Sequence, residues 1–290
     1  MPKFDVLITG KSGFIGSYLY NFLADRSLNI TSLSLRGKSY PRSSTSLTDV
    51  HTIVHLAGPV HNRSLSIQQQ ISQNKHCVDK LLSSVNLSSV KVFIYISSIS
   101  VYGSSPSLPV TSSSPLNPVS AYAIGKLSTE NYLSKLLPSH VRLIIIRPPA
   151  VYGPSSKGSF RLLRAIFKIF PILFFPRTQA ARSYVSVSYL AHLIADISSN
   201  AVANCPNLIL PVDLTLSTEK LLRLFGSYTS TLVLFFPVPR FILHLFSRLG
   251  IGKAALDSYF SSFTVCKTRL PDFAVESSRL NRSSFPRLFT

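Results

Sequence analysis

The sequence predicts an α/β fold, a doubly wound parallel sheet with a smaller C-terminal lobe. Three observations predict it. Continuous apolar runs recur at 4–9, 30–35, 52–57, 91–97 and 141–147, as strands buried on both faces do. Helical spacing fills 13–24, 65–85 and 119–137 between them, and this alternation builds a parallel sheet covered by helices on both sides. A glycine-rich turn joins the first run to the first helical segment.

The elements follow in order. FDVLIT at 4–9 is the first strand, and helical spacing runs from Gly13 to about Ala24. ITSLSL at 30–35 is the second strand and ends at Arg36. The Ser/Pro/Gly-rich stretch 37–48 reads as loop. TIVHLA at 52–57 is strand-like, 65–85 is helical, and KVFIYIS at 91–97 is the strongest strand. A Ser/Pro-rich loop at 104–118 precedes a helix at 119–137 and a strand, VRLIIIR, at 141–147. After Pro148 the pattern loosens. Helices are expected near 158–169, 188–199 and 217–225, and an apolar strand at 207–211. The last twenty residues carry no clear pattern, and no internal repeat is present. The expected division is 1–155 for the parallel-sheet domain and 156–290 for a smaller lobe interleaved with it.

Composition narrows the class. A chain of 290 residues, 46% hydrophobic, buries a core without disulfide staples. Cys77, Cys205 and Cys266 are odd in number and far apart, which excludes a disulfide framework and a zinc ribbon and fits a reducing compartment. The seven histidines include no HExxH-type pair, so no metal site is expected. A strand-like run begins at Phe4 without a basic-then-apolar leader, and a cytoplasmic protein is expected. Thirty basic residues face eleven acidic ones, for a net charge of +19 and a pI near 10.2. Such a surplus points to an anionic partner or to a general bias against acids. The basic residues are scattered, with no run of five, and this argues against a nucleic-acid arm.

Two apolar stretches, 165–176 and 231–246, are the strongest candidates for membrane spans. Proline and basic residues interrupt both, so they read as a buried helix and strand. The alternative is a surface in peripheral contact with a membrane, helped by the positive charge.

The first chemical motif is Gly10-Lys11-Ser12-Gly13-Phe14-Ile15-Gly16. It lies where a buried strand ends and an apolar helix begins. Residues without Cβ let backbone N–H groups approach a pyrophosphate, and the helix N-terminus adds a favourable dipole. The end of the second strand then tests which dinucleotide. An acid there would bind the ribose 2′-OH of NAD, yet 30–48 contains no Asp or Glu and carries Arg36 and Lys38 instead. A guanidinium grips a 2′-phosphate, which favours NADP(H) over NAD.

The second constellation is Ser98, Tyr122 and Lys126. Tyr122 and Lys126 are spaced i,i+4 on an expected helix and share a face. An ammonium nearby is expected to lower the tyrosine pKa toward the working range, so that the phenol passes a proton while hydride moves. Ser98 follows the strongest strand, at the carboxyl edge where ligands of such sheets bind.

With these residues in place, the chain resembles the extended short-chain dehydrogenase/reductases, the NAD-dependent epimerase/dehydratase group, with a Rossmann-type sheet. The matching pieces are TGKSGFIG at 9–16, VHLAG at 54–58, ISSISVYG at 96–103, YAIGK at 122–126 and IRPPAVYGP at 146–154. The resemblance implies roles. Gly10, Gly13 and Gly16 would cradle the cofactor pyrophosphate, with Ser12, Phe14 and Ile15 also at the cofactor, and Leu56, Ala57 and Gly58 would line its adenosine side. Asn74 and Pro148 would stand near the cofactor. Ser98, Tyr122 and Lys126 match the catalytic trio, with Lys126 also on the nicotinamide ribose. Arg182 matches an arginine on the sugar-nucleotide diphosphate, and Lys157 is expected with it on the substrate. A homodimer is also implied.

The second half is similar to bacterial enzymes of the UDP-glucose 4-epimerase type, among them 4-reductases of UDP-4-keto-6-deoxy-N-acetylhexosamines that serve O-antigen and capsule synthesis. Ala150 stands where 4-epimerases carry an asparagine, and the stretch from Arg36 to Thr52 is short for the group. Two reactions use the same trio: reduction of a C4 keto group by NADPH, and C4 epimerisation of a UDP-hexose through bound NAD. Arg36 and Ala150 favour the reductase. Elimination chemistry would add an Asp-Glu pair beside the serine, and Ser98-Ile99 offers none. A non-catalytic NADP-binding module docked at a membrane is the reading from another class, and the intact trio argues against it.

Overall fold

The computed structural model describes residues 4–26, 28–36, 49–59, 65–104, 106, 109–153, 156, 159–199, 205–237 and 259–268. Strand β1 (Phe4–Thr9) leads into helix α1 (Phe14–Ala24), and β2 (Ile30–Leu33) returns beside β1. Strand β3 (Val50–His55), helix α2 (Ile67–Leu82), strand β4 (Val92–Ile96), a short 3₁₀ turn at Ile99–Tyr102, helix α3 (Ala121–Leu136) and strand β5 (Arg142–Ile146) complete the alternation. All pairings in this sheet are parallel. Its register sets Val6 opposite Ile30 and Thr52, and Ile94 opposite Val54 and Ile144. Every residue of β4 is buried, which is why the continuous apolar run at 91–97 identified it.

Beyond β5 the chain forms β6 (Ala150–Tyr152), helix α4 (Ser159–Ile169), β7 (Ile172–Pro176), β8 (Ala181–Ser186) and helix α5 (Val187–Ser199). Strand β9 (Leu208–Ile209), β10 (Leu214–Ser217), helix α6 (Thr218–Thr229) and β11 (Leu232–Phe236) follow. Strand β9 rejoins the first sheet, whose order is β2-β1-β3-β4-β5-β9. Helix α5 packs its buried Tyr189, Leu190, Leu193 and Ile194 with Leu19 and Leu23 of α1 over one face. Helices α2 and α3 cover the other, where Val78, Leu81 and Leu133 meet Phe93 and Tyr95. The remaining strands form a three-stranded sheet, β10-β8-β6, and a two-stranded ribbon, β11-β7. Their core gathers Tyr152, Phe167, Tyr184, Leu222 and Phe225.

Two expectations are corrected here. Strands β6, β8 and β10 were not expected, because β6 and β10 are short, β8 mixes Arg182 and serines with its apolar residues, and each finds its partner only in the tertiary fold. The stretch 165–176 and the described part of the other, 231–237, are not simply a buried helix and strand. Within them Phe167 and Val233 are buried, but Ile169, Phe170, Ile172, Phe174, Leu232, Leu234 and Phe236 are exposed. The ribbon lays one face on the small core and leaves the other uncovered. The expected loop at 37–48, with Lys38, lies outside the described residues, as do 237's successors to 258 and the last twenty residues. Among the described residues no helix is long and apolar enough to cross a membrane.

Candidate active site

The turn after β1 is built around two glycines. Gly10 has φ +78°, and a Cβ there would lie 2.9 Å from the Ala57 nitrogen. A Cβ on Gly16 would collide with the Gly10 carbonyl. Only glycine at both places lets the turn, helix α1 and the β3 end meet this closely. Gly13 is the N-cap of α1 and supplies no side-chain cap, so the uncapped N–H groups of the first turn suit an anion. Thr9 ties the neighbouring strand end down. Its Oγ1 lies 2.8 Å from His55 Nδ1 and accepts from the Leu56 and Ala57 amides at 3.3 Å each. Burial pushes the His55 pKa down to about 3, and the Lys126 charge pushes the same way, so this imidazole is neutral.

These ends open on a cavity of about 1010 Å³ at the carboxyl edge of the sheet. Of the residues singled out in the sequence, Gly10, Ser12, Gly13, Phe14, Ile15, Gly16, Arg36, Leu56, Ala57, Gly58, Ser98, Tyr122, Lys126 and Pro148 all line it. The wall is completed by residues the sequence reading missed, among them Gln73, Cys77, Ile96 and Pro149. Gln73 and Cys77 lie on α2, where only a three-dimensional packing angle reveals which helical positions face the sheet edge.

The cavity floor holds the trio. Ser98 caps the 3₁₀ turn, its Oγ accepting from the Ser100 amide at 3.2 Å and the Ser100 hydroxyl at 3.0 Å. Lys126 is buried and donates from Nζ to the Ile96 carbonyl at 2.8 Å. Its ammonium lies 4.9 Å from the Tyr95 ring centre and 5.9 Å from that of Tyr122. Burial lowers the Lys126 pKa to about 8, against the pull of Glu130. Burial pushes Tyr122 up to about 12, and a hydrogen bond with Ser98 offsets only part of this. The expected lowering of the tyrosine pKa is therefore corrected. The ammonium is held by a backbone carbonyl, and desolvation of the phenolate outweighs what Ser98 returns. At neutral pH Tyr122 is therefore a phenol.

Beneath the trio lies a buried polar network. Glu130, four residues after Lys126, accepts from Arg147 Nε at 3.1 Å and Nη2 at 2.5 Å. Ser97 donates to the same carboxylate, and Arg147 Nη1 donates to the Tyr102 hydroxyl at 2.6 Å.

Three other expected residues stand elsewhere. Asn74 is buried behind the cavity wall, donating to the Gln70 carbonyl at 2.8 Å, with its carbonyl oxygen against Gly58. It spaces α2 from the strand end and does not line the cavity. Arg182 lies on β8 and donates to the Ser261 hydroxyl at 3.1 Å, outside this cavity. Lys157 lies outside the described residues.

The glycine turn, the uncapped helix end and the long cavity fit a dinucleotide. Residues 6–204 match the model of a protein family described as "NAD dependent epimerase/dehydratase family". The chain is 28% identical over 285 residues to a UDP-glucose 4-epimerase of Vibrio cholerae, with 88% of this chain and 84% of that protein covered. Among solved structures, it is similar to RMD from Pseudomonas aeruginosa complexed with NADPH, at a TM-score of 0.72, 17% identity and 98% and 96% coverage. It is also similar to WbmG of Bordetella bronchiseptica in complex with NAD and UDP, at a TM-score of 0.65, 16% identity and 99% and 97% coverage. At these identities the two structures speak to the fold alone.

Proposed function

The chain belongs to the NAD-dependent epimerase/dehydratase family, and from that premise we propose that it reduces the C4 keto group of a UDP-4-keto-6-deoxy-hexosamine with NADPH. The observation that carries this reading is Arg36. It lines the same cavity as the trio, at the end of β2, and Ser32 to Arg36 offers no carboxylate for a ribose 2′-OH. A cationic rim suits a 2′-phosphate.

The bound nicotinamide would supply the hydride. The chain's own residues do the rest. The Gly10–Gly16 turn and the α1 N-terminus hold the pyrophosphate. Tyr122, held as a phenol by burial, is ready to give its proton to an alkoxide forming at C4. Ser98 orients the same oxygen by hydrogen bonding. Lys126 supplies positive charge beneath Tyr122 and takes the nicotinamide ribose. In this reading residues 1–155 hold the cofactor and the lobe built from 156–290 holds the sugar nucleotide, with Arg182 and Lys157 toward its diphosphate.

The V. cholerae relative favours a second reading, C4 epimerisation with a tightly held NAD. Two measurements separate them. An epimerase keeps its cofactor through the cycle, so denaturing purified protein should release near-stoichiometric NAD. A reductase exchanges cofactor at each turnover and should release little. Purified protein mixed with NADPH and a panel of UDP-4-keto sugars should then consume the nicotinamide absorbance. Stoichiometric NAD with no NADPH consumption would overturn the reductase.

A further inference from the structure

The β7–β11 ribbon is parallel, pairing Leu232 with Ile172, Leu234 with Phe174 and Phe236 with Pro176. Alternation along each strand sorts its side chains. Leu173, Phe175, Val233 and Phe235 pack into the small core with Phe167 and Phe225. Ile172, Phe174, Leu232, Leu234 and Phe236 point the other way and are between 40% and 65% exposed. Among the described residues of the two strands no polar side chain interrupts this outer face. Helix α4 runs into it through Ile169 and Phe170, which are 70% and 50% exposed. Parallel strands are ordinarily covered on both faces, and a continuous apolar face of this kind marks an interaction surface.

The charge around it selects the partner. From Asn131 to Ala195 the sequence contains no acidic residue, and from Lys220 to Leu256 it again contains none. Both strands of the ribbon lie in these stretches. Lys168 and Arg177, both exposed, bracket β7, and the Arg177 amide donates to the Phe236 carbonyl at 2.9 Å, which sets this residue at the ribbon's end; the acid beside it, Glu219 of α6, is engaged by the Thr178 amide at 2.8 Å. A second copy would set these cations against their own kind. Hydrocarbon under an anionic headgroup layer satisfies both the apolar face and its basic rim. We propose that the outer face of the β7–β11 ribbon docks the protein on an anionic lipid bilayer, with Ile172, Phe174, Leu232, Leu234 and Phe236 entering the acyl boundary and Lys168 and Arg177 at the headgroups. The proposal stands independently of the reaction assigned above.

The test is flotation of the full chain with vesicles of phosphatidylcholine alone and of phosphatidylcholine mixed with phosphatidylglycerol. The wild type should float with the mixed vesicles only, and less so as salt rises. Phe174→Ser with Leu234→Ser should weaken partitioning by about tenfold or more while the melting temperature holds, since both side chains are exposed. Lys168→Glu with Arg177→Glu should weaken it by about tenfold. Serine variants that float as well as wild type would assign the binding to net charge alone and overturn the proposal. Light scattering that finds an oligomer dissociated by the serine pair would assign the face to a second copy instead. A fall in melting temperature without a change in flotation would assign it to the chain's own remaining residues. Either result would overturn bilayer docking.

Discussion

Glu130 and Arg147 form a buried ion pair, 2.5 Å between Oε2 and Nη2, below the carboxyl edge of the parallel sheet. Their side chains are 3% and 7% exposed. Glu130 comes from α3, four residues and about one helical turn after Lys126, and Arg147 follows the last residue of β5. The pair therefore clamps the helix that carries Tyr122 and Lys126 to the strand end that carries Pro148.

Breaking this pair from one side should be costly. Glu130→Leu leaves a guanidinium buried without its carboxylate, and loss of one partner typically costs about 3–5 kcal/mol. Glu130→Leu with Arg147→Met removes both charges and should recover much of the loss. Thermal unfolding of the singles and the double closes the cycle. Equal destabilisation by the double and by the sum of the singles would mean that the two side chains do not act as a pair.

Lys126 should destabilise the fold it serves. Its folded pKa of about 8 lies below the usual lysine value of 10.5. The unfolded chain thus binds the proton more tightly, and the group costs stability below pH 8. Between about pH 8 and 10.5 both states lose the proton in turn and the cost disappears, so stability rises with pH across that window. Lys126→Met keeps the volume without the charge. It should raise the stability at pH 7 by on the order of 3 kcal/mol less the lost hydrogen bond to Ile96, and the melting temperature with it. The gain should fade toward pH 10.5, and turnover should be lost. A gain that does not fade with pH would remove the buried ammonium as its cause.

Much of the site was legible because its parts are local. The Gly10–Gly16 turn, Ser98 at a strand end and the i,i+4 pair of Tyr122 and Lys126 each depend on a few neighbouring residues, and all line one cavity. Asn74 and Arg182 fall outside that cavity, because a position on a helix or strand does not by itself reveal which space its side chain faces. The Tyr122 pKa misled for a different reason. Spacing gave proximity to Lys126 but not the desolvation of both groups or the Ile96 carbonyl that holds the ammonium. The bare face of the ribbon was hidden in the same way, since a run such as ILFFP reads as buried until pairing and alternation show that half of it is not.

Cofactor preference should follow Arg36. The side chain is exposed at the cavity rim, so a charge-assisted contact there belongs at the weak end of its range. Arg36→Ala should weaken NADPH binding by about 1.5 kcal/mol, roughly tenfold, and leave NADH nearly unchanged. Fluorescence titration of both cofactors checks this. Equal losses for the two, or tighter wild-type binding of NADH, would end the NADP assignment.

Tyr122→Phe should remove most turnover and little else. Phenylalanine keeps the ring and its packing and removes only the hydroxyl. That hydroxyl is protonated at neutral pH, since burial pushes it up to about 12. Its loss removes the acid and not a buried charge, so the melting temperature should hold. General acid catalysis contributes typically about 10²–10⁴-fold, and kcat should fall within that range on a UDP-4-keto sugar that the wild type reduces. Cofactor affinity should change little, because the glycine turn and Lys126 carry that contact. The same high pKa makes a second demand. If Tyr122 acts as an acid, the rate should stay flat through neutral pH and lose nothing to phenol ionisation below about pH 12. Any fall nearer pH 8 should then follow Lys126 and vanish when that lysine is replaced in a variant that retains measurable activity. A Tyr122→Phe enzyme within about threefold of wild type, far short of the range expected for a lost general acid, would show that another group delivers the proton.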